Sequence, residues 1–147
     1  MNTQEIVSEI NSRDKRRVWL AACEIIEHAQ TRDEIIPLIP YLAAIKKETQ
    51  GLKIGGAFAS NKRFLDHAIR IIEFYESANG CSCALYLDYE MNDPEKEALK
   101  DNVTIIETIK IEDKWIDYSL VKCNNCNKVF KVTERMGHYR WWKWEYV

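Results

Sequence analysis

The chain has 147 residues, 46% of them hydrophobic and 30% charged, a balance that excludes a disordered polymer. It suits one α+β domain over residues 1–147, with a helical part at 1–79 and a β-rich part at 80–147. No apolar run approaches the ~20 residues that span a bilayer, and Met1-Asn2-Thr3-Gln4-Glu5 has neither the basic nor the apolar segment of a secretory signal. The expected location is therefore the cytoplasm, with no membrane partner and with thiols kept reduced.

The net charge of −2 conceals a gradient. Residues 1–83 carry 11 basic and 11 acidic side chains, residues 84–118 carry 4 and 10, and residues 119–147 carry 6 and 2. The acidic middle would repel nucleic acid and attract a basic partner, while the last stretch could do the reverse. The bland alternative is that the two regions neutralise each other within the fold.

A first short helix is expected at about Thr3–Ile10. The next segment, Arg16–Glu27, aligns with Lys62–Glu73 at an offset of 46 residues, with Arg17/Arg63, Ala22/Ala68, Ile25/Ile71, Ile26/Ile72 and Glu27/Glu73 identical. A period of ~40–47 residues is that of HEAT and armadillo helix pairs, in which small residues let two helices approach closely. Between these segments Thr31-Arg32-Asp33-Glu34 reads as a capping box, and Pro40 should kink the following helix or delay its start. Gly55-Gly56 lacks the strand and the Gly-Lys-Ser/Thr of a phosphate loop and reads as a helix–helix turn. Asn79-Gly80 closes the helical part with Gly past the cap.

After Gly80 the apolar pattern shortens to period two. Strands are expected at Ala84–Tyr89, Val103–Ile111, Trp115–Lys122, Lys128–Arg135 and Tyr139–Trp144, with a short acidic helical turn from Asp93-Pro94 to about Leu99. The architecture that follows is a set of HEAT-like helical hairpins packed on a small antiparallel sheet.

Two cysteine pairs carry the chemistry. Cys123-Asn124-Asn125-Cys126 presents two thiolates from one tight turn, which matches one edge of a zinc tetrahedron, and Cys81-Ser82-Cys83 is a tighter second pair. Together Cys81, Cys83, Cys123 and Cys126 make a four-thiolate set, zinc-ribbon-like, that would hold structural zinc with no coordination position left for water. Asn127 takes the place where Gly usually follows a knuckle, and Asn tolerates the left-handed backbone next best. Four reduced cysteines in a core and a redox Cys-x-x-Cys are the competing readings; the latter normally opens a helix, whereas a strand follows here. Cys23 stands alone in an apolar helix and reads as a core residue.

The tail Tyr139–Tyr146 holds five aromatics in eight residues. Either it is a sandwiched strand, or Trp141 and Trp144 stack single-stranded nucleic acid while Arg140 and Lys143 meet phosphates. His28, His67 and His138 form no metal or catalytic motif, although His138 could serve as a fallback ligand. The carboxylates of Asp88, Glu90, Asp93, Glu95 and Glu97 offer a docking face for a basic protein, or else a solvated loop. No catalytic constellation stands out, so the expectation is a protein that is not an enzyme.

The joint pattern resembles a group of small bacterial proteins from toxin–immunity loci. It runs through Gly55-Gly56-Ala57 with Asn61, Phe64 and Leu65, then Cys81, Cys83, Leu85 and Tyr86, then Asp93-Pro94, Cys123 and Cys126. It ends on His138-Tyr139, Trp141-Trp142 and Trp144. The match spans roughly residues 50–144, and the nearest named family is the immunity proteins of contact-dependent growth inhibition. The resemblance implies a partner-binding protein that neutralises a cognate toxin domain. The alternative is a zinc-ribbon module for nucleic acid.

Overall fold

The structure, a computed structural model, describes residues 1–56, 60–77 and 80–147. These form two compact units, Met1–Ser82 and Cys83–Val147. Helices in the first and an antiparallel sheet in the second make the chain α+β.

In the first unit α1 spans Thr3–Ile10 and α2 spans Lys15–Glu27. Asn2 caps α1 by accepting from the Glu5 N–H, and Asp14 caps α2 by accepting from the Arg17 N–H. Arg17 also reaches back across the turn, donating to both carboxylate oxygens of Glu9 at 2.8 and 3.1 Å. The expected capping box at Thr31 does not form: no side-chain cap bond closes α3 (Arg32–Ile35). A 3₁₀ segment, Ile36–Tyr41, follows and holds Pro40, so α4 begins only at Leu42 and ends at Thr49. Proline lacks the N–H that a continuous α-helix would need there.

The amphipathic α5, Lys62–Ser77, buries Leu65, Ala68, Ile71 and Ile72 on one face. It packs against α2, so the two segments related by the 46-residue offset lie side by side. Their shared Ala22 and Ala68 are fully buried, as are Ile25 and Ile71. Gly80, with φ of 89°, takes the left-handed conformation expected of it. Ala57 and Asn79 lie outside the described residues.

Ala84–Tyr89 is not a strand: Ser82–Asp88 is a 3₁₀ segment, with Cys83, Leu85 and Tyr86 buried. A four- to six-residue apolar run satisfies either period, and here the burial of two adjacent residues, Leu85 and Tyr86, breaks strand alternation. The helical turn α6, Pro94–Leu99, is capped by Asp93, which accepts from the Glu95 N–H.

The sheet then has four strands, not five: β1 (Val103–Ile111), β2 (Trp115–Cys123), β3 (Val129–Met136) and β4 (Arg140–Tyr146), in the order β1-β2-β3-β4. Val121, Phe130, Val132, Trp142 and Trp144 are buried on one face of it. Tyr86 covers that face, stacking on Trp144 at 4.2 Å and 17° and meeting Phe130 edge-on at 6.1 Å. Aromatic pairs of this kind add about 0.5–1.5 kcal/mol beyond the area they bury.

Candidate metal centre

One ligand atom from each of Cys81, Cys83, Cys123 and Cys126 lies within 4.8 Å of the others. Cys83 and Cys123 are buried and Cys81 and Cys126 half-buried, and all four are free thiols. Among the described residues no other group of three or more His, Cys, Asp or Glu gathers in this way, and His138 does not join it. Four cysteines this close could hold a metal ion.

Local structure explains how the pairs are aimed. Cys123 ends β2, and its turn is closed by the Asn127 N–H donating to the Cys123 carbonyl and the Cys123 N–H donating to that of Lys128, both at 2.9 Å. Asn127 sits at φ 66°, the left-handed geometry that Gly would otherwise supply, and the Asn125 N–H points at Cys123 Sγ from 3.4 Å. An N–H aimed at sulfur favours thiolate over thiol. Asn124 anchors the turn to the start of β1 and the residue pair before it: its side-chain amide donates to the Asp101 carbonyl at 2.9 Å, and its oxygen accepts from the hydroxyl of Thr104 in β1 at 2.6 Å. Ser82, between the other two cysteines, is held reciprocally by Gln30, with bonds of 2.8 and 3.1 Å. Neither Asn124 nor Gln30 carries a sequence signature that points to this work.

Cys23 lies apart, half-buried on α2, where burial raises its thiol pKa and leaves it a poor nucleophile.

The acidic set divides. Asp88, Glu90 and Glu95 are exposed, and Asp93 is half-buried with its side chain engaged as the cap of α6. Glu97 does not belong to the docking face expected of it: it is buried, its Oε2 accepts from the Tyr86 hydroxyl at 2.7 Å and from the Asn102 side chain at 2.8 Å, and Lys100 pairs with its other oxygen at 3.5 Å. Its carboxylate serves the fold. Burial first, then the Glu97 charge, pushes the Tyr86 phenol far above its usual range, so it remains a donor. The loop bearing Glu90 lies along β4, where the Trp142 N–H donates to the Glu90 carbonyl at 2.8 Å and the Trp144 indole to that of Asn92 at 2.8 Å.

The aromatic tail is divided by strand geometry. Arg140, Trp142, Trp144 and Tyr146 alternate with Trp141, Lys143 and Glu145 along β4. Trp144 is buried against Tyr86 and Phe130, and Lys143 pairs with Glu145 at 3.2 Å. Trp141 and Trp144 therefore do not share a stacking surface.

Among the described residues no helix is long and apolar enough to cross a membrane. No protein-family model, curated protein or solved structure matches the chain.

Proposed function

We propose that this protein is a non-catalytic binding protein that holds structural zinc, and that it acts by binding and neutralising a cognate toxin domain. The observation that carries the metal part is the four-thiolate set itself: soft donors in a tetrahedral number suit Zn²⁺ and leave no position for substrate or water. The binding part is supported by the motif resemblance to immunity proteins and by the exposed carboxylates of Asp88, Glu90 and Glu95. The two β4 bonds hold the Glu90 loop in place, so its charges are presented by an ordered surface. A toxin domain with a basic face would be steered to it, and covering the toxin's active site needs no chemistry from the inhibitor. The nucleic-acid reading loses its main support because Trp144 is committed to the core.

The test is purification from the protein's own cells with nuclease present, followed by identification of what remains bound. The reading expects a stoichiometric polypeptide that is toxic alone and harmless when co-expressed, and whose association slows when Glu90 and Glu95 are both replaced by Lys. A non-toxic companion, or association indifferent to both salt and charge reversal, contradicts it.

A further inference from the structure

A basic region lies within the first unit, where α2 begins. Residues 13–19 and 53–63 carry seven basic side chains and one acidic, Asp14. Glu9, which pairs with Arg17, and Asp66, which pairs with Lys62, raise the opposing charges only to three. A cleft of about 280 Å³ opens between these two segments, lined by Lys15, Arg16, Trp19, Ile54 and Asn61. That lining holds no acid. Asp14 keeps its charge but lies off the lining, where its carboxylate accepts from the Arg17 N–H at 2.9 Å.

The floor of the cleft is apolar. Ile54 is buried, and Trp19 is half-buried and meets Phe64 edge-on at 6.1 Å. The Asn61 N–H donates to the Gly55 carbonyl at 2.7 Å, which holds Asn61 next to the Ile54 segment. Three polar side chains of the lining are uncommitted. Lys15 and Arg16 are exposed and make no ion pair among the described residues, and the side-chain amide of half-buried Asn61 has no partner there.

The excess of positive charge selects an anion. Two adjacent unpaired cations match a doubly charged head, since a single carboxylate leaves one of them uncompensated. Lys and Arg both hold phosphate through charge-assisted hydrogen bonds. A bare ion would leave Trp19 and Ile54 unused, so the ligand also carries an apolar body. The volume falls just below the ~300 Å³ at which clefts for drug-sized ligands begin, so that body is small.

We infer that this cleft binds a small organic phosphate, a monoester whose dianionic head sits between Lys15 and Arg16 and whose apolar body lies on Trp19 and Ile54. Asn61 supplies a further hydrogen bond. This goes beyond the toxin-binding reading and rests neither on it nor on zinc.

The test is an NMR titration of the full, metal-loaded, ¹⁵N-labelled chain with phenyl phosphate, inorganic phosphate, benzoate and a short oligothymidylate. Phenyl phosphate should shift the Trp19 indole N–H and the Asn61 side-chain amide. It should bind about fivefold or more tightly than inorganic phosphate, which lacks the apolar body, and than benzoate, which lacks the second charge. The double variant Lys15→Glu, Arg16→Glu changes two exposed side chains and should weaken phenyl phosphate about tenfold or more. Lys47→Glu, an exposed change on α4 off the lining, should leave its affinity within about twofold. Inorganic phosphate or benzoate binding as tightly as phenyl phosphate, shifts confined elsewhere, or equal losses in the two variants would overturn the proposal. So would an oligothymidylate that displaces phenyl phosphate with a steep dependence on salt, which would mark a nucleic-acid surface instead.

Discussion

The Sγ atoms of Cys83 and Cys126 stand 3.5 Å apart, although 43 residues separate them in sequence. A disulfide would bring them to about 2.0 Å, and unrelated core thiols have no reason to gather in a group of four. The edge of a zinc–sulfur tetrahedron is about 3.8 Å for a bond of about 2.3 Å. Replacing Cys123 or Cys126 by Ser should therefore lower bound zinc from one ion per chain toward none, and lower the melting temperature as the linked binding energy is lost. Cys23→Ser should leave zinc unchanged, because that thiol lies on α2 outside the cluster. Elemental analysis of the three purified variants checks this.

Two tryptophans of the sheet should behave oppositely. Trp144, buried and stacked on Tyr86, should cost about 3–5 kcal/mol when cut to Ala. Trp115, mostly exposed, should cost no more than about 0.5 kcal/mol. Urea denaturation of the two variants measures both, and equal losses would contradict the assignment of core and surface.

Tyr86→Phe removes the shortest bond to the buried Glu97 carboxylate and leaves Asn102 and Lys100 to satisfy it. The loss should be about 1–3 kcal/mol in the same assay, since a buried charge is left underpaired. If Glu97 were instead part of a solvated acidic face, the change would be near zero.

His67 supplies the pH dependence. Burial first, and then the nearby Arg70, lower its pKa from 6.5 to about 4. The unfolded chain therefore takes up a proton below pH 6.5 that the folded chain refuses until about pH 4. Stability from this group is complete above 6.5 and is lost as pH falls toward 4. Between pH 7 and 4.5 the wild type should lose roughly 2–3 kcal/mol more than His67→Gln, a difference from which acid release of metal largely cancels. Identical pH profiles for the two proteins would contradict it.

Much of this architecture is legible in the residues, and what is hidden has physical causes. The α1 span, the pairing of the Ala22 and Ala68 helices, and the delay imposed by Pro40 all follow from period, side-chain size and a missing N–H. The four cysteines can be picked out because two close pairs of thiols match the donor number of a tetrahedral metal site. The 3₁₀ segment over Ser82–Asp88 is not legible, because a short apolar run fits either period until tertiary burial decides. Glu97 reads as one more surface acid, since its partners Tyr86 and Asn102 come from 11 and 5 residues away. In β2 the pairing steps from Ile109 with Tyr118 to Lys110 with Ile116, leaving Asp117 as an extra residue, and alternation of residue types cannot reveal that bulge.

X-ray absorption at the zinc edge of the purified chain tests the central claim most directly. Four sulfur neighbours at about 2.3 Å, with no nitrogen or oxygen in the shell, is the predicted result. Absence of zinc from protein purified under reducing conditions, or a shell containing oxygen, would contradict a closed structural site built from Cys81, Cys83, Cys123 and Cys126.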